Sequence, residues 1–463
     1  MTARDVGTFV LTALVPLLLV ATPTAFALPA SPVSELPAAP TLQESGASAF
    51  EQEAAATSAE PEPSQEATDS AEAAAEGQQE ELGPQTTDDA EIEQPPGTSL
   101  QHVTGLTAES EDGNYSFHLW LRGQFRGSYP FDAAPRSEGD FGAPRISNME
   151  IQRARIKVGG TVFRPWIEFY AEQDIVGSRL LDIRITISPK PWLRFRVGQW
   201  KIDYNRERVD SSGRQQFVDR SIVNREVTAD RQVGAAVFGR FFPGTMADLY
   251  YTVGVFTGNG RLGQSDDSDL MWLGKLQWNF FGEFLPNSQG DLRYSERPVG
   301  ALAIAALKNR SPYTRFSSSG GGQLDGFEPG VPGQYELKQI GQELSLHYRG
   351  FSLQQELHFK RIENKVSNTV TNLRAGFVQM GYFFHGLIDA LPRELEFAGR
   401  YAWVNPDNEI DNDTRTELSF GANWFFAGHD NKLTADFSAF DLETAPGTTV
   451  TDQRIRLQWD LSF

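Results

Sequence analysis

Beyond residue 27 the chain has no apolar run of the ~18 residues a membrane helix needs, yet about sixteen of its segments alternate apolar and polar side chains. In a β-strand successive side chains face opposite sides of the sheet, so a period of two marks one apolar and one polar face. Leu181, Ile183, Ile185 and Ile187 alternate with Asp182, Arg184 and Thr186, and Leu193, Phe195 and Val197 alternate with Arg194 and Arg196. Tyr115, Phe117, Leu119 and Leu121 alternate with Ser116, His118, Trp120 and Arg122, and Ala154, Ile156, Val158 and Val162 with Arg153, Arg155, Lys157 and Thr161. The segments lie near 115–126, 150–162, 166–174, 180–187, 192–199, 232–240, 247–256, 270–281, 298–307, 338–349, 351–362, 372–384, 394–404, 414–426, 432–441 and 453–463. Short connections at 164–166, 188–192 and Gly350 alternate with long ones at 127–149, 200–231 and 308–337. The expected fold is all-β: a transmembrane antiparallel up-and-down barrel of about sixteen strands.

A soluble sandwich or propeller also alternates, but it rarely needs so many strands with rings at their ends. Tyr170, Trp192, Trp200, Trp272, Trp278, Phe280, Phe281, Phe383, Phe384, Trp403, Trp424, Phe425 and Phe426 fall near expected strand ends, where interfacial girdles belong. In the final segment, "RIRLQWDLSF", Ile455, Leu457, Trp459, Leu461 and Phe463 are expected to face lipid, and Arg454, Arg456, Gln458, Asp460 and Ser462 the lumen. Because an open edge cannot exist in lipid, this strand should pair with the first and form the seam. Trp459, Leu461 and Phe463 also resemble the C-terminal signal read by the outer-membrane assembly machinery.

The formal charge of −20 is unevenly spread. Residues 1–114 hold one basic residue, Arg4, and 20 acidic ones, whereas 115–463 hold 40 basic and 41 acidic residues. Neither part has the basic surface a nucleic acid requires. The apolar stretch "VGTFVLTALVPLLLVATPTAFA" ends in Ala25-Phe26-Ala27, the pattern of an export leader over 1–27. Residues 28–114 are rich in Ala, Glu, Pro, Ser and Gln and poor in large apolar residues, so they are expected to be a disordered acidic linker. A spacer touching the cell wall is the sharper reading of the same segment. Residues 115–463 form the barrel domain. The chain has no cysteine, which excludes disulfides, thiolate metal sites and a lipid-anchored cysteine.

A barrel of this size holds an aqueous lumen, and its inward face carries the chemistry. Arg153, Arg155 and Lys157 on one expected strand and Arg194 and Arg196 on another would line it. Segment 200–231 adds Lys201, Arg206, Arg208, Arg214, Arg220, Arg225 and Arg231. If it folds inward, it narrows the pore with groups suited to phosphate or carboxylate oxygens, and rings of such cations select anions. The same stretches carry Glu168, Glu172, Asp174, Asp182, Asp203, Glu207, Asp210, Asp219, Glu226 and Asp230, so pairing within the protein is the competing reading.

The motifs that narrow the choice run through "LRFRVGQWKIDYNRERVDSSGRQQFVDRS": a strand ending Arg196 to Lys201, the run Glu207 to Ser212, and Asp219 to Ser221. With the preceding "RARIKVGGTVFRPWIEFYAEQD", this stretch resembles the family of phosphate-selective porins O and P. The chain departs from the family at Ile202 and Asp203, where members often carry a proline. The resemblance implies a trimeric sixteen-stranded outer-membrane porin whose third loop narrows an arginine-lined channel. It implies that Lys201, Ser211 and Ser212 lie near the constriction and that Arg194, Arg196, Arg206, Arg208 and Arg220 guide small anions, phosphate among them. A general porin without anion preference, and a structural barrel tethered to the wall, stay open. No cofactor or metal is expected, because no two of the six histidines have the HExxH spacing. "GNGRLG" at 258–263 precedes a strand and not a helix, and no serine motif accompanies His118 or His358, so an enzyme is not expected.

Overall fold

The computed structural model describes residues 99–101, 105–142, 146–317, 320–445 and 447–463. The expected leader and most of the acidic segment lie outside the described residues. Sixteen strands form the barrel: β1 (Ser116–Tyr129), β2 (Asn148–Val162), β3 (Arg164–Asp174), β4 (Arg179–Lys190), β5 (Leu193–Lys201), β6 (Arg231–Phe241), β7 (Leu249–Phe256), β8 (Met271–Trp278), β9 (Val299–Ser311), β10 (Tyr335–Tyr348), β11 (Phe351–Asn364), β12 (Val370–Tyr382), β13 (Leu395–Asn405), β14 (Arg415–Ala427), β15 (Asn431–Ala445) and β16 (Thr448–Ser462). Each pairs antiparallel with the next.

The ring closes where β16 pairs with β1, from Ile455 opposite Tyr129 to Ser462 opposite Arg122. Phe463 continues the ladder: its N–H donates to the Leu121 carbonyl at 3.0 Å, and its own carbonyl accepts from Leu121 at 2.7 Å. Alternation on the seam is sharp. Ile455, Leu457 and Trp459 are 57%, 50% and 44% exposed, while Arg456, Gln458 and Asp460 are each 1%. The last strand therefore faces the way its pattern predicts.

Below the point where β16 ends, β1 would show a bare edge. The short strand Leu106–Glu109 covers it, pairing Leu106 with Leu119, and Ser99–Gln101 pairs with that strand in turn. Both lie within the stretch read as a linker, so the acidic segment is ordered at its C-terminal end. An uncovered row of N–H and C=O groups is the cost this pairing avoids.

One end of the barrel has connections at 163, 191–192, 349–350 and 428–430, and the other has 130–147, 202–230, 257–270 and 312–334. Short turns mark the periplasmic end and long loops the outer one. Two connections, at 163 and at 191–192, are tighter than expected, and the one expected at Gly350 alone takes two residues. Phe163 alone turns the chain, with φ 64°, so Arg164–Trp166 belongs to β3. Arg349 and Gly350, with φ 48° and 80°, form a two-residue turn of the kind that needs positive φ at both positions.

Several rings expected in the girdle point inward instead. Trp192, Trp272, Trp278, Phe281, Trp424 and Phe426 face out, but Tyr170, Trp200, Phe383 and Phe425 are buried. Tyr170 donates to Glu172 at 3.0 Å, Trp200 packs edge-on against Phe256, and Phe383 lies against Phe425. Period two gives the spacing of a face but not its phase next to a turn.

Candidate functional site

Segment 202–230 leaves the wall after β5, enters the lumen and returns at β6. Two short helices, Arg206–Val209 and Ile222–Val227, and a 3-10 turn at Ser212–Arg214 give it its regular structure. A loop buried this way needs partners for its peptide groups, and the far wall supplies them. Backbone N–H groups of Arg206, Glu207, Val218 and Ile222 donate to Glu343, Glu356, Asp436 and Glu417 at 3.0, 2.6, 3.0 and 2.9 Å. The carbonyls of Gln215, Glu226, Asp219 and Val227 accept from Lys432, Lys360, Arg400 and Gln339 at 2.6, 2.7, 3.1 and 2.9 Å. Charged residues on β10 to β15 thus bind the loop backbone.

Apolar contacts reinforce this. Val223 and Val227 pack on Leu373, Phe377, Ala402 and Val404, all pointing into the lumen. Burying each valine contributes about 1.5–3 kcal/mol. A second inward cluster joins Trp200, Ile202 and Tyr204 to Leu273, Leu307, Leu337 and Ile362.

Opposite the far wall, the loop is tied to the seam through Asp219. Its carboxylate accepts from Arg126 at 2.9 and 3.1 Å and from Arg456 at 2.6 Å, with Arg153 at 3.9 Å. Burial alone would raise the Asp219 carboxyl; Arg126, Arg456 and Arg153 together outweigh it and hold the group well below the usual carboxylate range. Glu226 behaves alike: burial pushes it up, but Arg415 at 3.0 Å and Arg315 at 3.8 Å bring it down to about 2.

The basic residues singled out in the sequence divide into two groups. The first is engaged inside the protein. Arg155 donates to Glu172 at 3.0 Å, Arg208 meets Asp230 at 2.7 Å, and Arg231 meets Asp182 at 2.6 Å. Arg153 reaches Gln124, and Arg206 reaches the Pro286 carbonyl and, at 3.6 Å, Asp210. Lys201 donates to the Arg208 carbonyl at 2.6 Å, and Arg220 to the carbonyls of Glu207 and Arg208 at 2.6 and 3.2 Å. Ser212 receives Arg122 at 2.9 Å, with Ser211 at 3.5 Å. Gln152 and Arg153 both face inward, because a bulge opposite Gln124 and Phe125 puts two consecutive residues on one side.

The second group lies on the near wall, across from the docked loop. Arg196 donates to the Thr186 hydroxyl at 3.1 Å and Arg194 to that of Ser188 at 2.9 Å. The Arg196 guanidinium sits 4.7 Å from the Phe238 ring centre and 5.7 Å from that of Trp200, and Arg194 lies 5.4 Å from Phe238. Arg184 lies 4.6 Å above Tyr170, with Asp182 at 3.7 Å. Glu168 is 3.8 Å from Arg194 and its side chain is 47% exposed. Among the described residues Arg196 and Lys157 make no ion pair. Hydroxyls and ring faces hold Arg194 and Arg196 in place, and they do not cancel the charge of Arg196. At the outer mouth Arg225 lines a pocket of about 100 Å³ with Arg136, Arg220, Arg415, Arg454, Asp132 and Asp219.

Three features escaped the sequence reading. Arg184 belongs with Arg194 and Arg196, and its alternation with Ile183 and Ile185 was the signal for it. Arg122, Arg126 and Arg456 tie the seam to the loop; their inward phase was legible, but their partners were not. Segment 279–298, at the short-turn end, also folds in. Gln289 accepts from the Gln216 N–H at 2.9 Å and from Gln379 at 2.8 Å, and its own N–H donates to the Arg214 carbonyl at 3.1 Å.

A closed sixteen-stranded barrel with an inward third loop and a basic wall is the geometry of a pore, and residues 122–270 match the family described as phosphate-selective porin O and P. Over this stretch the chain is similar to that family, and its fold is that of an outer-membrane porin. Solved structures with the same fold include OmpT, an outer membrane protein of Vibrio cholerae. Its loop L8 deletion mutant is 10% identical, with a TM-score of 0.50 over 76% of this chain and 100% of that one. The in-vitro folded form is 9% identical, with a TM-score of 0.50 over 76% and 98%. An anion-selective porin from Comamonas acidovorans is 11% identical over 75% and 100%, and its TM-score of 0.48 is too low to bear on selectivity. No curated protein matches the chain. A porin is a channel, not an enzyme.

Proposed function

We propose that this porin passes small anions, phosphate among them, along the near wall of the lumen, past Lys157, Arg184, Arg194 and Arg196. One observation carries the reading: the near-wall arginines are held chiefly by neutral partners, so their charge acts on the solution. A row of cations only partly offset by Asp182 and Glu168 in a confined lumen concentrates anions and replaces part of their hydration shell. Arg153, Lys201, Arg206, Arg208, Ser211, Ser212, Arg220 and Arg231 shape the pore by fixing the loop, Arg155 is paired within the wall, and Arg225 lines the outer mouth.

The test is the reversal potential of the purified protein in a planar bilayer under a KCl gradient, repeated with added phosphate. Anion-selective current reduced by phosphate supports the reading. Cation-selective or unselective current indifferent to phosphate leaves a general porin, the reading favoured by the many arginines that face carboxylates within the chain. The assignments of 1–27 as export leader, of the acidic segment 28–114 as a tether reaching the cell wall and of the assembly as a homotrimer belong to this proposal. So does recognition of Trp459, Leu461 and Phe463 by the assembly machinery. Deleting Phe463 is expected to lower the folded barrel in the outer membrane several-fold, measured by its heat-dependent gel mobility, and an unchanged yield counts against that role.

A further inference from the structure

The outward face of the barrel should be apolar across the lipid, yet β9 to β12 carry cations there near the outer end. The register places them side by side. Trp272 lies opposite Lys308, Lys308 opposite Lys338, and Lys338 opposite Arg361. In the next row toward the membrane centre, Gly274 lies opposite Ala306, Ala306 opposite Ile340, Ile340 opposite Phe359, and Phe359 opposite Arg374. These residues line a groove of about 800 Å³. Its floor is low because Gly274 and Ala306 are small: a Cβ at Gly274 would find no atom within 4 Å. Trp272, Ile340 and Phe359, each more than half exposed, form its apolar sides.

Like charges directly opposite each other on a sheet are destabilising, and here two such pairs adjoin. The nearby carboxylates do not cancel them. Lys338 meets Glu336 at 2.8 Å, but Glu336 is shared with Lys365, and Lys365 also takes Glu363, the acidic neighbour of Arg361. Among the described residues Lys308, Arg361 and Arg374 make no ion pair. Depth identifies what lies outside them. From Arg361 down the outward face of β11 to Phe351 is ~33 Å of strand, or ~25 Å along the membrane normal at the usual tilt, which is the height of the apolar band. The cations therefore stand at the level of the outer headgroups. Within the band the two outward glutamines satisfy each other, Gln355 donating to Gln342 at 3.2 Å.

We propose that this groove binds a phosphorylated acyl lipid of the outer leaflet, with its phosphate on Lys308, Lys338, Arg361 and Arg374 and an acyl chain over Gly274 and Ala306, between Trp272 and Phe359. A free phosphate would leave the apolar trough unused. A second copy of the chain in two-fold contact would set this basic patch against itself.

The test is native mass spectrometry of the full-length porin with diphosphoryl lipid A or its dephosphorylated form. The comparison includes a triple variant, Lys308→Gln, Arg361→Gln and Arg374→Gln, and Gly274→Leu, which fills the trough without changing charge. All four positions face outward, away from the loop contacts. The expected result is a loss of retained diphosphoryl lipid of about tenfold in each variant, weak retention of the dephosphorylated form, no displacement by inorganic phosphate and unchanged channel current. Equal retention by the triple variant or by Gly274→Leu, or equal retention of the dephosphorylated lipid, overturns the proposal. Displacement by inorganic phosphate would make the patch a simple anion site, and a change of oligomeric state with unchanged lipid retention would make it a contact between copies; either also overturns it.

Discussion

Replacing Arg194 and Arg196 with glutamate is expected to turn an anion-preferring pore into a cation-preferring one. In a water-filled lumen, at a dielectric constant of ~80, a unit charge ~7 Å from the ion path contributes ~0.6 kcal/mol, less where salt screens it. Reversing two such charges should therefore shift the anion-to-cation permeability ratio by about tenfold to a hundredfold, since each ~1.4 kcal/mol is a factor of ten. The readout is the sign of the reversal potential under a KCl gradient. The lysine pair, Arg194→Lys with Arg196→Lys, should keep the sign but weaken block by phosphate, because an ammonium lacks the planar fork of donors. Neither side chain holds the loop, so folding should be spared. If the glutamate pair keeps its anion preference, β5 does not set selectivity.

The second large effect is expected from Asp219→Ala. The substitution removes the carboxylate on which Arg126 and Arg456 converge from neighbouring seam strands. Breaking a buried pair costs about 3–5 kcal/mol, and the lower end applies here, because Asp219 is partly exposed and Arg456 keeps Asp436 at 2.7 Å. The loop should stay docked on the far wall and keep Arg122 on Ser212, but lose its carboxylate tether to the seam. Single-channel records should then show larger and noisier conductance, with the barrel's thermal transition little changed. The pH dependence has a definite sign. The Asp219 carboxyl is depressed in the folded protein, so its contribution is fully present above the ordinary carboxylate value of ~3.9 and is lost as pH falls below it. The wild type should grow noisy on acidification in that range, and Asp219→Ala should be noisy throughout. Quiet records from the variant at neutral pH would remove Asp219 from this role.

How far the sequence could be read follows from what each contact depends on. Alternation is a local property, fixed by strand geometry and by a bilayer that tolerates only apolar side chains on the outside. It located all sixteen barrel strands, the seam and the inward phase of Arg194, Arg196, Arg456 and Asp460. It did not place Tyr170, Trp200, Phe383 and Phe425, because a turn resets the phase at a strand end. The strands whose inward faces carry Leu273, Leu307, Leu337, Ile362, Leu373 and Phe377 are apolar on both sides there, which blurs the pattern that marks a lumen.

Which cations keep their charge was a different kind of question. Arg155 and Arg196 look alike in sequence, each flanked by apolar residues and close to acidic ones. Strand pairing sets Arg155 against Glu172 on the next strand, and Arg196 against Thr186 and Phe238 on its two neighbours, with Trp200 on its own strand. The sequence by itself therefore determined the barrel, its closure and the family of its third loop, since all three rest on periodicity and local motifs. The tertiary structure alone decided the loop's attachment and the inward course of 279–298, because those depend on residues far apart in the chain that meet only once the ring has closed; the line between cancelled and uncancelled charge was set by the register of neighbouring strands.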